Sequence, residues 1–113
     1  MVIDMLHIKS LEEGLDIFKA LGSEVRIGII KNLSENRGMN MNELAAKLNI
    51  TNGALTGHIK KLEDCGLVTV SNESGGHGNE KKCSVCLDKI LIEMDTQEDY
   101  KNIYQTDLKV GHF

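Results

Sequence analysis

The residues best suited to chemistry lie in the segment 51–65, where polar side chains and glycines surround a regular apolar stripe. Leu55, Ile59 and Leu62 are spaced i, i+4 and i+7, which predicts one buried face of a helix. The opposite face then carries small hydrogen-bonding side chains, glycines and a lysine: Asn52, Gly53, Thr56, Gly57 and Lys60. Asparagine can pair with adenine through two hydrogen bonds, threonine can donate or accept, and lysine can reach guanine or phosphate. The spacing therefore predicts a helix whose exposed face reads base edges in the major groove of DNA.

Two glycines within this helix favour the same interpretation. Each costs about 1 kcal/mol relative to alanine inside a helix, so Gly53 and Gly57 indicate a surface that something must approach closely. The alternative is that both are tolerated defects on a solvent-exposed face. His58 lies beside the apolar stripe, where it binds a phosphate or packs as a half-buried histidine. Lys61 is either a phosphate contact or a solvated charge.

A second group of candidate DNA contacts flanks the glycine-rich segment 71–79. His77, Lys81 and Lys82 lie at its end, between strands predicted at 67–70 and 81–87. A basic hairpin over 71–82 can follow the phosphate backbone or enter the minor groove. The alternative is a mobile solvent loop, and Glu73 and Glu80 weaken the positive field.

Cys83 and Cys86 form a C-x-x-C pair, which could be half of a metal site. Only His77 and Cys65 are near enough in sequence to complete it. Residues three apart on a strand face opposite sides, so we expect these cysteines to pack as small apolar residues and to bind no metal. The sequence contains no recognisable nucleophile–base arrangement, phosphate-cradling loop or paired catalytic carboxylates. It therefore predicts neither an enzyme nor a cofactor.

Helical periodicity elsewhere supplies the elements that must position these residues. We expect a first helix from Ser10 to Gly22, a second from Ser23 to Leu33, a polar loop over 34–38, a short strand over 39–41 and a third helix over 42–48. Residues 2–8 are ambiguous, and residues 90–94 either extend the sheet or begin a helix. Two helices joined by a tight turn and followed by a hairpin predict a winged helix-turn-helix, mostly α with a small β-hairpin wing. We assign it to residues 1–94, and leave 95–113 as a dimerisation element or the start of a further domain.

Charge and composition restrict the partners of this chain. The chain has 113 residues and a net charge of −4. The region 25–87 carries eight bases and six acids, whereas 1–24 and 88–113 are acidic, so the positive balance coincides with the candidate DNA contacts. No apolar run approaches the roughly 20 residues of a membrane span, and no signal peptide is evident. Three cysteines without a secretory signal favour a reduced cytoplasm. The acidic total leaves open a winged helix that binds another protein and no DNA.

Residues 15–87 resemble the ArsR-type winged helix regulators. The matching pieces are LGSEVRIGII, MNELAAKLNI and TNGALTGHIKKLEDCGLV. The resemblance implies a bacterial transcriptional repressor that binds double-stranded DNA as a homodimer, with the first helix and a C-terminal element at the interface. It also implies a base-reading role for Asn52, Gly53, Thr56, Gly57 and His58.

The same resemblance bears on metal sensing and on the C-terminal end of the chain. Metal-sensing members carry a cysteine pair in the helix-turn-helix, and the matching NELAAKL has none, which argues against a metal-responsive repressor. The ending YQTDLKVGHF looks like the first strand of a further domain found in longer regulators, so we expect a fragment of such a protein. The effector and the operator are not specified by any of these patterns.

Overall fold

The computed structural model describes residues 4–75 and 78–94. The expectations for His77 and for 95–113 lie outside these residues. The elements in chain order are β1 (Met5–Ile8), α1 (Leu15–Leu21), α2 (Glu24–Asn36), β2 (Met39–Asn40), α3 (Met41–Leu48), α4 (Asn52–Asp64), β3 (Val68–Gly75), β4 (Gly78–Val85) and β5 (Lys89–Ile92). Four helices and a small antiparallel sheet, in the order β2-β4-β3, confirm the predicted winged helix-turn-helix.

The core fixes the helices against the hairpin. The side chains that are almost completely buried come from α2, α3, α4, β3 and β4, and they are Ile29, Leu33, Leu44, Leu55, Leu62, Val68 and Cys83. Burying an aliphatic side chain contributes roughly 1.5–3 kcal/mol, so rotation of α4 about its axis is strongly disfavoured. In the described part of the chain, no helix is long and apolar enough to span a membrane.

Side-chain caps set the start of each helix in the central bundle. Ser23 Oγ accepts from the backbone N–H of Arg26 at the start of α2, as predicted. Asn40 and Glu43 form a reciprocal capping box at the start of α3. α3 ends at Asn49, whose left-handed φ of 59° turns the chain toward α4. The tight turn between the two helices is therefore locally encoded.

The first helix is shorter than predicted. Ser10 Oγ does accept from the N–H of Glu13 over 3.2 Å, but this bond closes a turn, and α1 begins only at Leu15. The reason is the close approach of Gly14 to β1, where an added Cβ would lie 2.7 Å from the Cγ2 of Ile8. The segment that precedes α1 therefore packs on a strand instead of continuing the helix.

Two other boundaries differ from the predictions. α2 continues through the expected loop to Asn36, whose Nδ2 donates to the carbonyl of Asn32 one turn earlier, and it ends where Arg37 and Gly38 adopt positive φ. The hairpin strands also run further into the glycine-rich segment, to Gly75 and from Gly78. Backbone pairing along a hairpin does not require apolar side chains, which explains why the hydrophobic pattern missed these residues.

The last described strand pairs with the first, and neither prediction for residues 90–94 was correct. β5 forms a separate parallel two-stranded sheet with β1, in which Leu6 lies beside Ile90 and Ile8 beside Ile92. Ile8 is buried in the core. Pairing between strands at opposite ends of the described chain is a long-range contact, which local periodicity cannot reveal.

Candidate nucleic-acid interface

The orientation of α4 follows from its apolar stripe. Leu55, Ile59 and Leu62 are all buried, as their spacing predicts. Thr51 caps the helix, with its hydroxyl accepting from the N–H of Ala54 over 3.1 Å. The opposite face of α4 is consequently directed to solvent.

The outer face of α4 is exposed to solvent and includes two glycines. The predicted contacts Asn52, Gly53, Thr56, Gly57, Lys60 and Lys61 are all exposed. A Cβ added at Gly53 or at Gly57 would meet nothing within 4 Å. Packing within the chain therefore gives no reason for either glycine, which leaves a smooth helix surface that another molecule can approach.

Thr56 and Lys60, on the outer face of α4, make contacts within the helix itself. Thr56 Oγ1 donates to the carbonyl oxygen of Asn52 over 2.8 Å. Lys60 Nζ lies 3.4 Å from Asp64 Oδ1, and both of these side chains are largely exposed. A solvated pair of this kind contributes about 0.3–0.5 kcal/mol, so Lys60 can exchange it for a phosphate at little cost.

An open groove of about 630 Å³ separates α4 from the wing. Thr56 and Lys60 line it from the helix, and Lys81 lines it from β4. Two carboxylates share the groove, because Glu63 and Glu80 also line it. Two further groove residues, Asn42 and Asn72, were not predicted from the sequence, nor was the position of Glu63 at the groove. Helix-turn-helix geometry brings the first turns of α3 and α4 together, so Asn42 could have been found from that layout.

The two wing lysines, Lys81 and Lys82, lie on opposite faces of β4. Neighbouring residues on a strand point to opposite faces, and only Lys81 lines the groove. Lys82 is half-buried on the other face, where its Cε would lie 2.9 Å from a Cβ built at Gly38. Both lysines were predicted from the sequence as DNA contacts, but only Lys81 lines the groove in the structure.

His58 and Lys61 lie on the flank of α4 that faces the other helices. His58 is half-buried, and its Nδ1 lies 3.0 Å from Nη1 of Arg26. A guanidinium only donates, so Nδ1 of His58 is the acceptor in this contact. Another nitrogen of the same guanidinium, Nε of Arg26, donates to the carbonyl oxygen of Ala20 over 2.6 Å. Of the two alternatives for His58, the structure shows the half-buried histidine. Binding of a phosphate by its Nδ1 would require the hydrogen bond with Arg26 to break. Lys61 lines a smaller cavity of about 290 Å³ that is also bounded by Arg26.

The three cysteines are free thiols in different surroundings. Cys83 is fully buried with its Sγ 3.1 Å from the Sδ of Met41, whereas Cys65 and Cys86 are half-buried free thiols. Cys86 lies one residue beyond β4 rather than on the strand. Burial raises the pKa of all three thiols.

In residues 4–75 and 78–94, no three His, Cys, Asp or Glu side chains converge as a metal site would require. The absence of metal binding stays a prediction.

Comparison with known proteins agrees with this geometry. Residues 23–69 match the family model of the winged helix-turn-helix DNA-binding domain. Over 59 residues the chain is 42% identical to YuzN, an HTH-type transcriptional regulator of Bacillus subtilis (strain 168), a match that covers 47% of this chain and 64% of the relative. The chain thus spans less than two thirds of the length of that relative.

Solved structures share the fold at low sequence identity. HlyU from Vibrio cholerae N16961 is 19% identical with a TM-score of 0.56, covering 87% of this chain and 90% of its own. The M. tuberculosis protein Rv0081 is 21% identical with a TM-score of 0.58, covering 88% and 85%. An ArsR family transcriptional regulator is 20% identical with a TM-score of 0.55, covering 85% and 89%. The chain therefore shares the winged helix-turn-helix fold with these solved structures, and its residues 23–69 are similar to a DNA-binding domain of that class.

Proposed function

We propose that this chain binds a specific sequence of double-stranded DNA and thereby regulates transcription in the cytoplasm of a bacterium. α4 enters the major groove, and the wing contacts the phosphate backbone or the minor groove. The observation that carries the proposal is the outer face of α4, which is polar, exposed and free of side-chain bulk at Gly53 and Gly57. The major groove of B-DNA is about 12 Å wide and admits a helix with such a surface.

The contacts divide into two kinds in this proposal. Asn52 and Thr56 read base edges, because they lie at the exposed N-terminal half of α4. Lys60 and Lys81 neutralise phosphates from the two sides of the groove. Glu63 lines the same groove, and its charge disfavours a phosphate deep inside it. The chain therefore has few cationic contacts for each bound half-site.

A homodimer compensates for this small number of contacts. Two half-sites double the contact set, and the recognition helices of such a dimer would sit roughly 34–36 Å apart, one turn of DNA. The segment around α1 offers an apolar surface for association, since Leu11 and Leu15 are 43% and 51% exposed. The ArsR resemblance implies an interface at this first helix. No enzymatic step, metal or cofactor belongs to the proposed activity, so zinc and chelator should leave DNA affinity unchanged.

The decisive experiment selects bound duplexes from a random pool and sequences them. We expect one enriched motif, arranged as an inverted repeat if the dimer binds. Titration of that duplex at increasing salt should weaken binding, with a logarithmic slope of about −0.9 for each phosphate contact. If no motif is enriched and duplex affinity does not respond to salt, the proposal is wrong. The acidic net charge of −4 would then favour the alternative, a winged helix that binds another protein.

A further inference from the structure

One hydrogen bond joins the two helices of the helix-turn-helix through side chains alone. Asn52, the first residue of α4, donates from Nδ2 to Oδ1 of Asn42, in the first turn of α3, over 2.9 Å. Both side chains are exposed, and both line the groove beside the wing. Water would satisfy the same groups in the unfolded chain, so this bond contributes little to the free energy of folding. Its main consequence is the orientation it imposes on the Asn52 amide.

The surroundings of this bond are themselves fixed. The reciprocal capping box between Asn40 and Glu43 holds the first turn of α3, on which Asn42 lies. The carbonyl oxygen of Asn52 accepts from the hydroxyl of Thr56 one turn later. Asn52 is consequently held at its main chain by α4 and at its side chain by α3.

The bond leaves free the groups that a base needs. A side-chain amide has two donor hydrogens and one acceptor oxygen. Donation to Asn42 uses one hydrogen of Asn52, so the second hydrogen and Oδ1 are available. An asparagine reads N7 and N6 of adenine with Oδ1 and the hydrogen on the same side of the amide, so the inference requires that Asn42 accepts the other hydrogen. Asn42 can therefore hold the amide while its base-reading edge stays unoccupied.

We propose that Asn42 is a positioning residue, which sets the base preference of Asn52 by orienting its amide before DNA binds. The inference rests on the proposed function, because it requires that Asn52 reads a base. A preorganised side chain loses less conformational freedom on binding than a freely rotating one. The two asparagines therefore act as one reading unit, with its contact on α4 and its support on α3.

The test uses the full chain and the duplex that the wild-type protein selects. Asn52→Ala first identifies the base pair at which preference is lost. Asn42→Ala should then lower the preference at that same base pair by about 2- to 10-fold, the cost of ordering one side chain on binding. Its thermal midpoint should remain that of the wild type.

Two further variants separate positioning from a direct contact of Asn42 with DNA. Asn42→Asp keeps an oxygen that can accept from Asn52, so preference at the base pair should be retained while its charge weakens binding to all duplexes alike. Asn72→Ala is the matched control, because it removes another exposed amide that lines the same groove. It should leave the preference at that base pair unchanged.

The double variant Asn42→Ala, Asn52→Ala completes the cycle. Its preference at the base pair should equal that of Asn52→Ala alone. An unchanged preference in Asn42→Ala would overturn the inference, and so would a further loss of preference in the double variant. Failure of the proposed function itself looks different, because the wild-type protein would then enrich no duplex sequence.

Discussion

Replacing Gly57 by alanine should stabilise the free protein and weaken its binding to DNA. Gly57 lies in the interior of α4, and an added Cβ would meet nothing within 4 Å. No steric cost therefore opposes the gain in helix propensity, which is about 1 kcal/mol. For a domain of this size, 1 kcal/mol raises the thermal midpoint by roughly 4–8 °C. The new methyl group projects from the outer face of α4, where the proposed duplex must come close.

The expected loss in affinity follows from the same geometry. A methyl group forced into a well-packed contact typically costs about 1–3 kcal/mol, which corresponds to roughly 5- to 150-fold in affinity. Thermal unfolding followed by circular dichroism measures the stability, and fluorescence anisotropy with the selected duplex at constant salt measures the affinity. The two measurements should move in opposite directions.

Gly28→Ala provides the matched control. Gly28 is also a helix glycine, and its added Cβ would lie in ordinary contact, 3.4 Å from Cδ2 of Leu48, away from the outer face of α4. We expect a similar gain in stability without a loss of DNA affinity. If Gly57→Ala is stabilised and still binds the selected duplex as the wild type does, the glycine does not provide clearance, and the reasoning is refuted.

Three further predictions follow from the placement of single residues. Lys81→Ala should lower the salt slope of DNA binding by about 1, whereas Lys82→Ala should change it less, because only Lys81 lines the groove; equal effects would contradict this placement. Burial raises the pKa of the Cys83 thiol, so the unfolded chain releases this proton at lower pH than the folded chain. The stability contributed by the neutral thiol is present below the ordinary thiol pKa and is lost as the pH rises through the folded value; thermal midpoints between pH 7 and 10 should fall less steeply in Cys83→Ala. Leu15→Glu should shift the protein toward monomer in light scattering, while Ile27→Glu, a similarly exposed position on α2, should not. A monomeric wild type, or equal effects of the two substitutions, would exclude α1 as the interface.

The order and character of the central elements could be predicted from the sequence, because short-range interactions encode them. The stripe of Leu55, Ile59 and Leu62 repeats within the turns of one helix, and the caps at Ser23 and Thr51 act over three residues. Such interactions are present in any window of the sequence that includes both partners. The exposed face opposite that stripe followed directly, and the hairpin was predicted from the glycine-rich segment between two strand patterns.

Boundaries and orientations near the ends of elements required the folded chain. The capping pattern at Ser10 was genuine, but the packing of Gly14 against Ile8 stopped a helix from forming there. Likewise, β5 had an apolar sequence with no local indication of its partner, since β1 lies at the other end of the described chain. A contact outside the capping motif decided the first case, and pairing with a strand at the other end of the described chain decided the second.

The relations among the candidate site residues were decided only by tertiary structure. Adjacent lysines, Lys81 and Lys82, were separated by the alternation of β4, whereas Asn42 and Asn52 were brought together by the turn between two helices. His58 found its hydrogen-bond partner, Arg26, on another helix. A sequence determines which side chains an element exposes, because that depends on its own periodicity. Which exposed side chains meet depends on how the elements pack, and that is a property of the whole core.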